Sequence, residues 1–144
     1  MEKILILKNA IVLTMNQTLT KYEPGAVAIK GSTIEAVGNQ DNIVGQFPQA
    51  EVIDCGGKVL MPGFVNTHAH IAMNLIRGFS DDLRLDVWLN GYIMPVEREF
   101  VTPDFVRLGT QLGCAELIKT GVTCFLDMYY FEDVVAETTA AMGL

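Results

Sequence analysis

Two histidines, His68 and His70, are the only ones in the 144-residue chain, and they stand two apart in the run Pro62-Gly63-Phe64-Val65-Asn66-Thr67-His68-Ala69-His70. The run before them is apolar and reads as a β-strand. On a strand, residues i and i+2 point to the same face. Two imidazoles on one face, one residue apart, can share a metal ion through their ring nitrogens. The plain alternative is a pair of polar residues at a strand end, hydrogen-bonded to loop backbone.

A strand is needed to present that pair, and the surrounding sequence supplies a setting for it. Up to residue 60 the pattern reads as all-β. Ile4 to Leu7 and Ala10 to Met15 are β-branched and aliphatic, and Ala26 to Lys30 and Thr33 to Val37 flank a Gly31-Ser32 turn. Thr33 to Val37 alternates polar and apolar, as a half-buried strand does. Val52 to Asp54 and Lys58 to Leu60 flank Gly56-Gly57. Short strands joined by glycine turns predict a small sandwich or part of one.

From Met61 onward strands alternate with helices. Phe64 to His68 reads as a strand. Thr102-Pro103-Asp104 is a helix start, with Thr as N-cap, Pro at the first helical position and an acid in the first turn. Phe105, Leu108, Leu112 and Ala115 then recur at helical spacing and predict the buried stripe. Lys119 falls in the last turn, with Gly121 beyond it as the residue that ends the helix. Val122 to Leu126 reads as a buried strand and Phe131 to Met142 as a second helix. The organisation expected is therefore residues 1–60 as a β segment and residues 61–144 as the opening βα units of a parallel α/β fold. Two such units cannot close a (β/α)8 barrel, which takes about 250 residues. The chain is accordingly expected to be a piece of a larger fold or to dock onto another chain.

Composition narrows the function classes. The net charge of −7, without a Lys/Arg cluster, argues against a nucleic-acid surface. No apolar stretch reaches the roughly 18–20 residues of a membrane span, and the N-terminus shows no signal-peptide cleavage site. Cys55, Cys114 and Cys124 are an odd set without C-x-x-C spacing. They predict buried thiols in a reducing cytoplasm rather than a disulfide framework.

The His68-Ala69-His70 strand resembles the first barrel strand of the amidohydrolase superfamily. Met73-Asn74-Leu75-Ile76-Arg77-Gly78-Phe79, Asp86-Val87-Trp88-Leu89 and Met94-Pro95-Val96-Glu97 resemble the branch that holds S-adenosylhomocysteine and 5′-methylthioadenosine deaminases and the triazine chlorohydrolases. Phe125-Leu126-Asp127-Met128-Tyr129 is similar to that branch's second barrel strand. The resemblance covers essentially the whole chain. It implies the N-terminal part of a composite β-sandwich plus the first two βα units of a metal-dependent-hydrolase TIM barrel. It also implies one divalent metal per site (zinc, or iron or manganese) held by His68 and His70 together with a histidine and an aspartate on later strands. The activity implied is hydrolytic deamination of an adenosine derivative by a metal-activated water, with a later glutamate and histidine moving protons. None of those later residues is present, so the resemblance implies no catalytic residue within this chain and an inert chain on its own.

Four further residues acquire expected roles. Glu97 is implied to accept hydrogen bonds from two ribose hydroxyls, a task suited to an acceptor-only carboxylate; its plain alternative is a solvated helix acid. Trp88 is either an apolar wall beside the nucleoside or loop packing. Asp127, near the C-terminal end of its strand, is a loop-ordering acid or a carboxylate that orients a ligating histidine. Asn66 shares the histidines' face and could support them in the same way. Arg77-Gly78 reads as structural, and Asp81 and Asp82 as a solvated turn or helix cap.

The main expectation is a small-molecule nucleoside deaminase in the cytoplasm, with the rest of the barrel supplied by a complementary chain or a homo-oligomer. The enzyme alternative is a triazine, cytosine or guanine hydrolase of the same superfamily, for which a diol acceptor at Glu97 is unnecessary. The non-enzyme alternative is a structural or assembly module lacking a complete metal site. A dinuclear amidohydrolase would need a bridging carbamylated lysine that the sequence does not show. The zinc deaminases with H-x-E and P-C-x-x-C elements are excluded, since neither occurs.

Overall fold

The computed structural model describes residues 3–144 and divides into two compact units, Met1–Pro62 and Gly63–Leu144. In the first unit, β1 (Ile4–Leu13), β2 (Lys21–Lys30), β3 (Thr33–Asn39), β4 (Glu51–Asp54) and β5 (Val59–Leu60) form one mixed sheet. Its order is β3-β2-β1-β4, with β5 also on β1. The β1–β2 and β2–β3 pairs are antiparallel, and β4 and β5 run parallel to β1.

Two expectations are corrected here. Ile4–Leu7 and Ala10–Met15 are not separate strands: β1 is continuous, with the register shifting between Leu7 and Ala10. At that shift Asn9 takes a left-handed conformation (φ 55°), and Gln40 accepts its backbone N–H at 2.8 Å. A bulge of this kind absorbs the polar Lys8-Asn9 pair without ending the strand. The segment is also not all-β, because α1 (Gln40–Gln46) follows β3. Asn39 caps it, its Oδ1 accepting the Asp41 N–H at 3.1 Å. α1 places Ile43 in a core cluster with Ile6, Ala26 and Ala28. Its single buried side chain leaves no helical stripe to read in the sequence.

The second unit positions the histidines. β6 (Phe64–Ala69) pairs in parallel with β7 (Val122–Asp127). Between them lie a 3₁₀ helix (Ile71–Ile76), the short α2 (Leu85–Trp88), a π turn (Leu89–Ile93), α3 (Met94–Phe100) and the long α4 (Pro103–Lys119); α5 (Glu132–Met142) follows β7. Thr102 caps α4 as its sequence predicts, accepting the Phe105 N–H at 3.2 Å. The buried face of α4 is another matter. Leu108 and Leu112 are 57% and 41% exposed, and Val106, Gly109, Thr110, Gly113 and Cys114 face inward instead. The reason is close backbone approach: a Cβ on Gly109 would lie 2.5 Å from the Ala72 carbonyl oxygen, and one on Gly113 would lie 2.3 Å from Ile71 Cγ1. α4 thus seats the 3₁₀ helix against bare backbone, and Ile71, Ala72, Val106, Cys114, Val134 and Val135 form the core. Arg77 makes a two-pronged pair with Glu116 (2.9 and 2.6 Å), tying the end of the 3₁₀ helix to α4. Among the described residues no helix is long and apolar enough to cross a membrane.

Candidate metal centre

His68 lies on β6 and His70 one residue past its end. The two-residue period turns both rings the same way, and they meet edge to face with centroids 5.0 Å apart. Their Nε2 atoms are 3.3 Å apart. Two nitrogens each about 2.0–2.1 Å from a tetrahedral zinc lie about 3.3–3.4 Å from each other, so the pair has the bite of two zinc ligands. His70 Nδ1 is 2.5 Å from the Met128 carbonyl oxygen. A carbonyl only accepts, so Nδ1 is the donor, and this contact leaves Nε2 as the ring atom available to a ligand. Among the described residues no third His, Cys, Asp or Glu joins them in a group that could hold a metal.

The neighbouring acids play different parts. Asp127 Oδ1 accepts the Ile71 N–H at 2.8 Å, fixing the first turn after His70. Its Oδ2 is buried without a partner. Burial pushes this carboxyl above its usual range, and the Ile71 hydrogen bond pulls the other way. Asp127 therefore orders the loop, while the Met128 carbonyl orients the imidazole. Asn66 Oδ1 accepts the His68 backbone N–H at 3.2 Å and so steadies the strand rather than the ring.

Glu97 is 8% exposed, not a solvated helix acid. The Tyr130 hydroxyl lies 3.4 Å from its Oε2. The Tyr129 hydroxyl is buried, and its phenol is pushed well above the ordinary tyrosine range, first by burial and then by the adjacent Glu97 carboxylate. The Tyr129 ring sits 6.4 Å from that of His70 and 5.0 Å from that of Tyr130. An aromatic bridge thus runs from the histidine pair to the carboxylate.

Trp88 is the last residue of α2. Its indole N–H donates to the Ser80 carbonyl at 3.0 Å, and it lines a shallow pocket of about 290 Å³ with Ser80, Asp81, Asp82, Leu83 and Leu85. Reasoning from sequence missed three participants: the Met128 carbonyl, which no side-chain type announces, and Tyr129 and Tyr130, whose proximity to Glu97 depends on the fold.

Comparison with known proteins follows the same lines. The family described as "Amidohydrolase family" matches residues 59–143. A 5-methylthioadenosine/S-adenosylhomocysteine deaminase of Nitratidesulfovibrio vulgaris (strain DP4) is 47% identical over 139 residues, covering 96% of this chain and 31% of its own length. A 5′-deoxyadenosine deaminase of Methanosarcina mazei is 42% identical, covering 97% of this chain and 31% of its own. An adenosine deaminase from Xanthomonas campestris with bound zinc superposes with a TM-score of 0.91 at 37% identity, covering 95% of this chain and 31% of that one. The chain spans about a third of the length of the curated relatives it matches.

Proposed function

The chain belongs to the amidohydrolase family, and from that premise we propose that it carries the first part of a metal-dependent site that hydrolytically deaminates an adenosine derivative such as S-adenosylhomocysteine or 5′-methylthioadenosine. The observation that carries this reading is the pair of Nε2 atoms 3.3 Å apart, with the His70 tautomer set by Met128. His68 and His70 would hold a divalent metal, zinc in the first instance, which activates water when bound. Catalytic zinc typically has three protein ligands, so the remaining ligands and the proton-transfer groups come from outside these 144 residues. The chain alone is then not competent.

The roles of this chain's residues follow from their surroundings. Met128 holds the His70 ring in its ligating tautomer. Asp127 fixes the backbone immediately after it. Glu97, nearly enclosed and met by the Tyr130 hydroxyl at 3.4 Å, has acceptor capacity left for the two hydroxyls of a ribose. Its burial favours a nucleoside over a bare base or triazine. Trp88 is proposed as a wall of the substrate mouth, and its tie to Ser80 makes it the anchor of the loop it belongs to.

Zinc titration of the chain and of its His68→Ala and His70→Ala variants tests the site. Both substitutions are expected to weaken binding by at least tenfold, and unchanged affinity in both refutes the assignment. Release of ammonia from S-adenosylhomocysteine by the protein at its full natural length tests the activity. Turnover of chlorotriazines or guanine in its place refutes the substrate reading.

A further inference from the structure

Among the described residues Glu97 is the only carboxylate in the buried class, and a buried carboxylate needs hydrogen bonds to offset lost hydration. The Tyr130 hydroxyl reaches its Oε2 at 3.4 Å, and the Tyr129 phenol also faces this carboxylate. Tyr130 follows Tyr129 and Met128, so three consecutive residues touch both ends of the site. The Met128 carbonyl holds His70, the Tyr129 ring fills the space between, and the Tyr130 hydroxyl reaches Oε2 of Glu97. Tyr130 packs edge-on against Tyr129 (67° between planes), which restrains its ring.

We propose that Tyr130 is a positioning residue for Glu97: by donating to Oε2 it fixes the carboxylate plane so that the remaining lone pairs face the ribose diol. The segment Met128–Tyr130 thereby sets the spacing between metal ligand and diol acceptor. This inference rests on the reading of Glu97 as the diol acceptor. A carboxylate with one oxygen tethered loses less rotational freedom when two hydroxyls bind, which is how a non-contacting phenol raises affinity. Tyr130 is itself 47% exposed, so removing only its hydroxyl leaves the fold's core untouched.

The test uses the zinc-loaded protein at its full natural length, with inosine (a nucleoside with no amine to lose) and 2′,3′-dideoxyinosine as probes in calorimetric titrations. Glu97→Gln is expected to weaken inosine selectively. Tyr130→Phe is expected to weaken inosine by about tenfold, the size of one hydrogen bond to a charged group, and to leave the dideoxy compound unchanged. Tyr130→Phe should add nothing in the Glu97→Gln background. If Glu97→Gln is selective but Tyr130→Phe weakens both probes equally or neither, the positioning role is overturned and the Glu97 reading stands. If the unaltered protein does not prefer inosine, or Glu97→Gln does not change the preference, the Glu97 reading falls and this inference falls with it.

Discussion

Replacing Gly109 with alanine should loosen the metal site from a distance. The added Cβ would lie 2.5 Å from the Ala72 carbonyl oxygen and 2.7 Å from Ala72 Cα. Ordinary contact begins at 3.4 Å, so α4 and the 3₁₀ helix must separate by about 0.9 Å. Both nearest atoms are backbone, and no rotamer change relieves them. Overpacking of this kind costs about 1–3 kcal/mol, against a gain of up to about 1 kcal/mol in helix propensity on leaving glycine. The net expectation is a loss of up to about 2 kcal/mol. The 3₁₀ helix begins directly after His70, so the same displacement should widen the 3.3 Å spacing of the ring nitrogens and weaken zinc binding. Gly91→Ala is the control, since a Cβ there meets nothing within 4 Å; it should be neutral or slightly stabilising and leave zinc affinity unchanged. Urea unfolding followed by the fluorescence of Trp88, with zinc titration in parallel, measures both. A Gly109→Ala protein as stable as the Gly91→Ala protein, with unaltered zinc affinity, refutes the packing argument.

Two further outcomes are expected. Cys114 is fully buried, and burial raises its thiol above the usual range, so in the folded 144-residue chain a thiol reagent should label exposed Cys124 first and Cys114 only on unfolding; labelling of Cys114 at the rate of Cys124, read by peptide mass, contradicts this. The Tyr129 phenol is also raised, so the folded state holds its proton more tightly than the unfolded chain does. Its contribution to stability is complete below the unfolded pKa of about 10 and is lost as pH climbs from there toward the folded value. Tyr129→Phe should therefore flatten the alkaline fall in stability, and an unchanged slope in pH-dependent unfolding contradicts the burial argument.

What could be read in the residues beforehand depended on whether side chains or backbone did the work. The pairing of His68 and His70 was legible because their ring nitrogens are in the side chains and the two-residue period of a strand brings them together. The start of α4 was legible because Thr102, Pro103 and Asp104 each act within one turn. The buried face of α4 was not. A hydrophobic pattern counts Leu108 and Leu112 and gives no weight to Gly109 and Gly113, whose missing side chains are what admit the 3₁₀ helix. α1 was hidden in the same way, resting on an Asn39 cap and one buried isoleucine. Glu97 is one of 17 acids, and its burial beside the tyrosines of a segment 33 residues later distinguishes it from the solvated ones. The orienting group for His70 is a peptide carbonyl, which any residue at position 128 would provide.

That last contact also dictates when the site comes into being. His70 and the Met128 carbonyl are 58 residues apart in the chain, and among the described residues β6 pairs only with β7. While the chain is still being synthesised, the histidines emerge well before the strand that aligns them. Closing so long a loop costs entropy that local helix formation does not, so the pairing should be a late and slow event. During that interval the two imidazoles have neither the Met128 carbonyl nor the strand pairing to fix their tautomer and spacing. The 3.3 Å spacing of the two ring nitrogens is therefore a property of the paired strands and not of the local His-Ala-His segment.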